Sequence, residues 1–371
     1  MRFMKHGICG AALFVAAGSA AAQSSVTLYG TVDVFAQYLS GGGTHSFSER
    51  SGGSSASAFG LRGSEDLGDG LRAIFTLENG FTTNNGGFFA DSTTMFYRQA
   101  WVGLNDARYG ALTFGRQYQP SFYAIYPTEP FFANELLSPL AAALLAFDRS
   151  TLATQFATGR SSNSVMYQSP NLYGAKLYAM YALSGSTNVP LPGTTGNMLN
   201  VGLNYTIGDL YVGLGYKYQH GSQTTALAPV PVSLPGTTQY VAGLAYHIGI
   251  VELMANYTYT QPGTAPTGSP VAVAGLAHSF SVIEAGANIQ ASAADMIELA
   301  FIERAVRSPQ NDNALGFQFG YDHNLSKRTS VYLRAGFIKN NGSSTMSWVG
   351  NTVSQTGTKQ ILGVLGMTHR F

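Results

Sequence analysis

Residues that could perform catalysis or bind a metal are few and scattered along this 371-residue chain. Its seven histidines do not occur at metal-ligand spacing with a second ligand. No G-x-S-x-G nucleophile elbow is present. Gly68-Asp69-Gly70 followed by Ala73 is only a weak match to a dinucleotide fingerprint, because no helical pattern follows it and a hairpin turn explains it better. We therefore expect no enzyme activity, no metal site and no cofactor.

Charged side chains are the remaining chemically active groups, and they are sparse. They make up 11% of the sequence, against roughly 25% in soluble domains. Lys and Arg total 20 and Asp and Glu total 19; without Arg2 and Lys5 of the basic N-terminus, 18 basic residues remain. This near balance gives no indication of a nucleic-acid partner.

The elements that would position these charges are strands of alternating polarity. Glycine accounts for 44 residues, about 12% of the chain against the usual ~7%, and no apolar run after residue 22 reaches the 18 residues of a membrane helix. Residues 210–219 show the pattern, with Leu210, Val212, Leu214, Tyr216 and Tyr218 predicted to face lipid and Tyr211, Gly213, Gly215, Lys217 and Gln219 predicted to face a lumen. Such alternation is typical of transmembrane β-barrels.

The segments of about ten residues number sixteen, separated alternately by short turns and long polar loops. An even number of strands suits an antiparallel barrel with both termini on one side. Barrels of sixteen to eighteen strands enclose an aqueous channel. The sequence therefore predicts an all-β fold, a 16-stranded antiparallel transmembrane β-barrel.

The two ends of the chain indicate its location. Residues 1–22 have a basic start, a short apolar run and an Ala20-Ala21-Ala22 cleavage site, which predicts a cleaved signal peptide and a barrel domain at 23–371. Cleavage there would remove Cys9, the one cysteine. Residues 359–371 alternate up to Phe371, as expected for a last strand that pairs with the first and places an aromatic residue at the membrane interface. We therefore expect the protein to be located in the outer membrane.

One connection, residues 119–159, breaks the scheme because it is the longest and is apolar. Ser138 followed by Pro139 is a good N-cap and first-turn pair, so a short helix is predicted over the apolar stretch that follows. An apolar loop of this length is usually functional rather than disordered. Two arrangements remain open, a loop folded into the lumen that narrows it and an external loop that covers the barrel or contacts another subunit.

Several stretches resemble the general diffusion porins of Gram-negative bacteria, and most closely those of betaproteobacteria. The matching stretches are residues 24–34, 59–81, 98–104 and 110–117, together with the terminal Phe371. The resemblance implies a homotrimer of 16-stranded barrels, each with a pore narrowed by its inward-folded third loop. It also implies that acidic groups on that loop face a ladder of basic residues on the wall.

Carried over by position, the resemblance assigns the basic side of the constriction to Arg62, Arg98 and Arg160. Thr31 occupies a position that is often basic in such porins, which weakens the ladder. The acids of the loop are Glu129, Glu135 and Asp148, and the resemblance does not decide which of them reaches the constriction.

The expected function is passive diffusion of ions and small hydrophilic solutes, filtered by size and charge, with a slight preference for anions. Expected partners are two further copies of the chain, outer-membrane lipid, lipopolysaccharide, and the barrel assembly machinery through the C-terminal strand. A substrate-selective channel of similar architecture is the alternative. From a different class, an all-β surface binding or adhesive protein would need a more polar exterior and more charge.

Overall fold

The computed structural model describes residues 25–89, 93–146, 159–184, 196–224, 232–265, 267–351 and 355–371. The predicted signal peptide and Asp148 lie outside these residues. The strands, in chain order, are β1 (Ser25–Gly41), β2 (Thr44–Ser51), β3 (Ala58–Gly68), β4 (Leu71–Gly80), β5 (Gln99–Asp106), β6 (Gly110–Tyr118), β7 (Arg160–Gln168), β8 (Ala175–Ala182), β9 (Met198–Ile207), β10 (Leu210–Gln219), β11 (Ser222–Thr224), β12 (Val232–Leu234), β13 (Thr237–Ile248), β14 (Val251–Pro262), β15 (Phe280–Gln290), β16 (Asp295–Val306), β17 (Ala314–Asn324), β18 (Thr329–Asn340) and β19 (Lys359–Arg370).

Sixteen of the described strands form one closed antiparallel barrel, as the sequence predicts. They are β1, β3 to β10 and β13 to β19, each paired with its neighbour along the chain. Residues 31–41 of β1 pair with residues 360–370 of β19 and close the sheet on itself. Because the sheet is closed, each strand of the barrel has a hydrogen-bonded neighbour on both sides.

Phe371 continues this closing seam beyond the end of β19. Its backbone exchanges two hydrogen bonds with Gly30 of β1, at 3.0 and 3.1 Å. The Phe371 ring lies directly against Gly30, where a Cβ atom would come within 2.4 Å of the ring. Glycine at this position therefore gives the terminal aromatic ring room beside the first strand.

Side chains alternate between the two faces of the barrel. Large apolar residues such as Leu214, Phe301 and Leu365 are exposed on the outside, whereas Lys217 and Gln318 are buried inside. Residues 210–219 follow this alternation as predicted, because Leu214 and Tyr216 are exposed and the Tyr211 hydroxyl hydrogen-bonds inside the barrel. In the described parts of the chain, no helix has the length and apolarity needed to cross a membrane.

Strand β2 is an addition to the sixteen predicted strands, because it lies in the connection between the first two of them. β1 is too long for β3 to cover, and its second half instead pairs with β2, with Val34 opposite Ser51 and Gly41 opposite Thr44. Residues 52–57 form a break between the end of β2 and the start of β3. Smaller additions are the β11–β12 pair and a short helix, α3 (Pro270–Ala274).

The third loop, residues 119–159, lies inside the barrel over its described part. It contains helix α1 (Pro120–Ile125), a 3₁₀ turn (Tyr126–Thr128) and helix α2 (Pro139–Leu144). Helix α1 packs against β9, β10 and β13, and α2 packs against β15, β16 and β17. The predicted helix start is confirmed, since the Ser138 hydroxyl accepts a hydrogen bond from Ala141 N at 3.1 Å. The alternative prediction, an external loop that covers the barrel or contacts another subunit, is therefore wrong for the described part of the loop.

Asp33 of β1 is buried inside the barrel and organises the interruption between β2 and β3. Its Oδ1 accepts hydrogen bonds from Gly53 N at 2.8 Å and from the Tyr332 hydroxyl at 2.6 Å. Its Oδ2 accepts from Ser54 N and Ser55 N, both at 3.0 Å. The carboxylate therefore joins the first strand, the first loop and β18 at one point.

Replacing Asp33 with Ala should destabilise the barrel by at least about 3 kcal/mol, because several buried donors lose their acceptor and each costs about 1–3 kcal/mol. Tyr332→Phe removes a single donor and should have a smaller effect. The measurement is the temperature at which folded protein converts to the unfolded gel mobility in detergent. Ser54→Ala, which keeps the backbone amide, is the control; equal unfolding temperatures for Asp33→Ala and Ser54→Ala would contradict the assignment.

Candidate pore constriction

Side-chain donors on the barrel wall hold the third loop by its backbone carbonyls. An irregular loop inside a barrel cannot pair all of its peptide groups with itself, and unpaired buried carbonyls are costly. The donor and acceptor pairs are Asn204 Nδ2 to Tyr123 O, Tyr211 hydroxyl to Ala124 O, Asn256 Nδ2 to Thr128 O, Asn288 Nδ2 to Pro130 O, Gln318 Nε2 to Leu137 O and Arg304 Nη1 to Ala143 O, at 2.8 to 3.1 Å. The loop is thus fastened along much of its described length.

Two wall glycines allow the loop backbone to approach closely. A Cβ atom at Gly213 of β10 would lie 1.8 Å from Ala124 O, and one at Gly243 of β13 would lie 2.4 Å from the Thr128 hydroxyl. Neither contact can be relieved by moving a flexible side chain, because Ala124 contributes backbone and Thr128 is buried. These positions therefore require glycine for α1 and the following turn to lie flat on the wall.

Glu129 does not face the lumen, which corrects its assignment to the acidic side of the constriction. Its side chain has no exposed surface. One carboxylate oxygen accepts a hydrogen bond from the Ser138 hydroxyl at 2.8 Å, and the other accepts from Ala133 N. The carboxyl group therefore ties the loop to itself, because the loop backbone supplies the partners that water would otherwise supply.

The buried Glu129 also faces charged groups on the wall. Burial raises its pKa to about 7, against hydrogen bonds and the nearby Arg334 that lower it. Glu284 and Glu298 on the wall interact electrostatically with it. A carboxyl among other carboxyls in a dry contact favours its protonated form.

Glu135 is the loop acid that meets the predicted arginines. Arg98 Nη1 lies 2.8 Å from Glu135 Oε1, and Arg160 Nη2 contacts the same oxygen. Both arginines also donate to the Tyr118 hydroxyl, at 2.9 Å from Arg98 and 2.6 Å from Arg160. Burial alone would raise the pKa of Glu135, but the two guanidinium groups outweigh it and hold the pKa below its usual range.

Two residues of this network were not among the predicted site residues. Glu78 of β4 accepts from Arg98 Nε at 2.7 Å and from the Tyr29 hydroxyl at 2.8 Å. Tyr118 closes β6 where the third loop begins. Glu78 shares the parity of Thr76 on the lumen face of its strand, so the alternation pattern carried a signal for it.

Arg62 is placed differently from the other two predicted arginines. It lies on the lumen-facing parity of β3, opposite Thr27 and Thr76, and its side chain is exposed. Its guanidinium carbon lies 5.4 Å from the centre of the Tyr29 ring, and it makes no ion pair with any residue the structure describes. Arg62 therefore adjoins the network of Arg98 and Glu78 as an uncompensated positive charge.

Gly213→Ala should loosen α1 from the wall, because the added methyl group cannot share the space of Ala124 O. A loop that is no longer held flat will fluctuate across the lumen. We expect a several-fold rise in current noise across the protein in a planar bilayer, with the barrel still folded. Gly363→Ala on β19, where a Cβ meets nothing within 4 Å, is the control; steady currents from both variants would count against this docking.

The pH dependence of stability provides a test of Glu129. Its pKa is raised in the folded state from 4.5 to about 7, so its contribution to stability is complete below pH 4.5 and is lost as the pH rises through about 7. Glu129→Gln should flatten the fall in unfolding temperature between pH 5 and 8. Glu49→Gln on the exposed β2 should leave the fall unchanged; an unaltered slope in Glu129→Gln would overturn the interpretation.

Comparison with known proteins bears on what this barrel does. A family model described as Gram-negative porin matches residues 10–343. An outer membrane porin protein of Bordetella pertussis is 30% identical, over 91% of this chain and 95% of that protein. Outer membrane porin protein 32 of Delftia acidovorans is 28% identical over 99% of this chain and all of its own length.

Solved structures show the same fold. An anion-selective porin from Comamonas acidovorans superposes with a TM-score of 0.77 at 24% identity, covering 94% of this chain and 100% of that one. The trimer form of OmpT from Vibrio cholerae superposes with a TM-score of 0.64 at 13% identity, covering 94% of this chain and 99% of that one.

A closed barrel with a loop fastened in its lumen, matched over nearly its whole length by outer membrane porins, is a passive diffusion channel of the outer membrane. The resemblance found in residues 24–34 and 59–81 is confirmed by these matches. The chain belongs to the family of Gram-negative porins.

Proposed function

We propose that solutes pass between the third loop and the arginine-bearing wall, and that this constriction favours small anions over cations. The observation that carries the proposal is the charge balance of the network around Glu135. Among the residues that the structure describes, Arg62, Arg98 and Arg160 supply three positive charges, whereas Glu78 and Glu135 supply two negative ones. The positive charge left over belongs to Arg62, which is also the exposed member.

The other acids of the loop support this balance rather than oppose it. Glu129 has no exposed surface and is hydrogen-bonded within the loop, so it does not contact passing ions. Glu298, an acid of the wall strand β16, is also buried and lies 2.9 Å from Arg334. Asp148, outside the described residues, stays a predicted loop acid without an assigned place.

Size and charge filtering follow from this arrangement. The docked loop takes up part of the lumen, so large solutes are excluded by shape. Arginine suits the wall because it stays charged in every environment of the channel, and fixed charges act strongly in a narrow passage with low-dielectric walls. No step of such passage requires a catalytic group, and no bound cofactor takes part. A substrate-selective pore remains the alternative.

We further propose that the chain works as a homotrimer in lipopolysaccharide-containing membrane, after removal of residues 1–22 and insertion by the barrel assembly machinery through its last strand. The porin family and the trimer form of OmpT support the trimer. Pairing of Phe371 with Gly30 supports a closing role for the C-terminal strand. Current steps that close in threes would support the trimer, and single equal steps would argue against it.

The reversal potential in a salt gradient tests the charge balance, and it should have the sign of an anion-selective channel. Arg62→Gln should lower the chloride-to-potassium permeability ratio roughly two- to fivefold, because one unit charge near a passing ion is worth about 0.5–1 kcal/mol in a wet channel. Glu135→Gln should raise the ratio, since it removes one of the negative charges that face Arg98 and Arg160.

Lys327→Gln is the matched control, because it removes an equal charge from the exposed turn between β17 and β18. It should leave the ratio unchanged. A cation-selective wild type, or an Arg62→Gln ratio equal to that of Lys327→Gln, would refute anion selectivity at this site. Passage of neutral solutes in a liposome swelling assay would then still report on the diffusion channel itself.

A further inference from the structure

Helix α1 turns an aromatic face toward the lumen. Ser121, Ala124 and Ile125 are buried against the wall strands β9, β10 and β13. Phe122 and Tyr126 point the other way, and 39% of Tyr126 is exposed. A helix that lies against the inner wall of a water-filled barrel presents its opposite face to the solutes that pass.

These rings form a continuous surface with Tyr118 of β6. The Tyr118 and Phe122 rings are stacked, with centres 4.7 Å apart and planes 16° apart. Phe122 and Tyr126 follow, with centres 5.5 Å apart. We call Tyr118, Phe122 and Tyr126 the aromatic ledge. Tyr123 supports it from behind, in edge contact with Tyr118 and stacked at 5.1 Å on Tyr178 of the wall.

One end of the aromatic ledge meets the network of arginines and glutamates at the constriction. The guanidinium carbon of Arg160 lies 4.4 Å from the centre of the Tyr118 ring. The Phe122 ring stacks on the same Tyr118 ring. The Tyr118 hydroxyl accepts hydrogen bonds from both Arg98 and Arg160. An apolar flat surface therefore ends at the arginines of the constriction, in a network whose surplus positive charge is that of Arg62.

We propose that the aromatic ledge is a transient binding site for aromatic carboxylates, whose ring stacks on Phe122 and Tyr126 while the carboxylate lies toward the arginines. Aromatic rings favour offset stacking over contact with water, and a carboxylate is attracted by the arginine side of the network. A neutral sugar would use only half of this surface. The inference deepens the proposed anion preference and rests on it.

The test is potassium chloride current through the purified protein in a planar bilayer, with benzoate, cyclohexanecarboxylate or acetate added. Benzoate and cyclohexanecarboxylate have the same charge and similar size, and only benzoate has an aromatic ring. We expect benzoate to halve the current at a concentration roughly threefold or more below that of cyclohexanecarboxylate, with acetate weaker still. Equal potency of the two ring acids would overturn the proposal.

Variants locate the effect. The double variant Phe122→Leu and Tyr126→Leu should lose the advantage of benzoate, with each block measured against the variant's own potassium chloride current. Tyr126→Phe should retain the advantage because the ring remains. Phe47→Leu, an exposed aromatic residue of β2, is the control and should behave as wild type. If the double variant does not fold, Tyr126→Leu alone should still reduce the advantage by about half. An undiminished advantage in Tyr126→Leu or the folded double variant would refute the site.

This outcome is separate from that of the proposed function. Chloride preference with no advantage for benzoate would remove the aromatic ledge as a site and leave anion selectivity intact. A benzoate advantage that Phe122→Leu and Tyr126→Leu abolish, found in a channel without chloride preference, would support ring binding and overturn the part assigned to the arginines.

Discussion

Backbone hydrogen bonding in the absence of water is the constraint on which this structure depends. Lipid tails cannot pair with peptide groups, so a sheet that crosses a membrane has to close on itself. Residues 31–41 and 360–370 meet that requirement where the ends of the chain come together, and Phe371 extends the pairing to Gly30. The outer apolar residues and the polar interior follow from this closure, because alternate side chains of each strand point to opposite faces.

The same requirement shapes the interior, where the third loop lacks a ladder of its own. The side-chain amides of Asn256, Asn288 and Gln318 donate to its carbonyls the hydrogen bonds that a neighbouring strand would otherwise supply. The polar wall of the barrel therefore serves as the core against which the loop packs, and glycines at Gly213 and Gly243 set the contact distance. Because the loop is held by side chains of many strands, its lumen-facing surface is a fixed element of the pore.

Much of this architecture was predictable because strand alternation is a local property of the sequence. The strand number, the inward facing of Lys217 and the helix start at Ser138 all follow from patterns within ten residues. The orientation of Glu129 was not predictable, since it depends on how an irregular loop meets strands more than a hundred residues away. Strand β2 was not predicted for a related reason. Its short polar sequence forms a strand because β1 extends beyond the end of its pairing with β3, which leaves residues 34–41 to pair with β2. The contact of Glu135 with Arg98 and Arg160 forms only when the third loop folds into the barrel. The sequence alone therefore left three acids of the loop as candidates.

The partners of the Asp33 carboxylate lie at very different distances along the chain. Its three amide partners lie 20 to 22 residues away, whereas the Tyr332 hydroxyl lies 299 residues away. Short chain loops close far sooner than long ones, so the amides of residues 53–55 engage the carboxylate early and the hydroxyl joins it last. Through the Tyr332 hydroxyl the same carboxylate also contacts β18, so one side chain links residues near both ends of the chain.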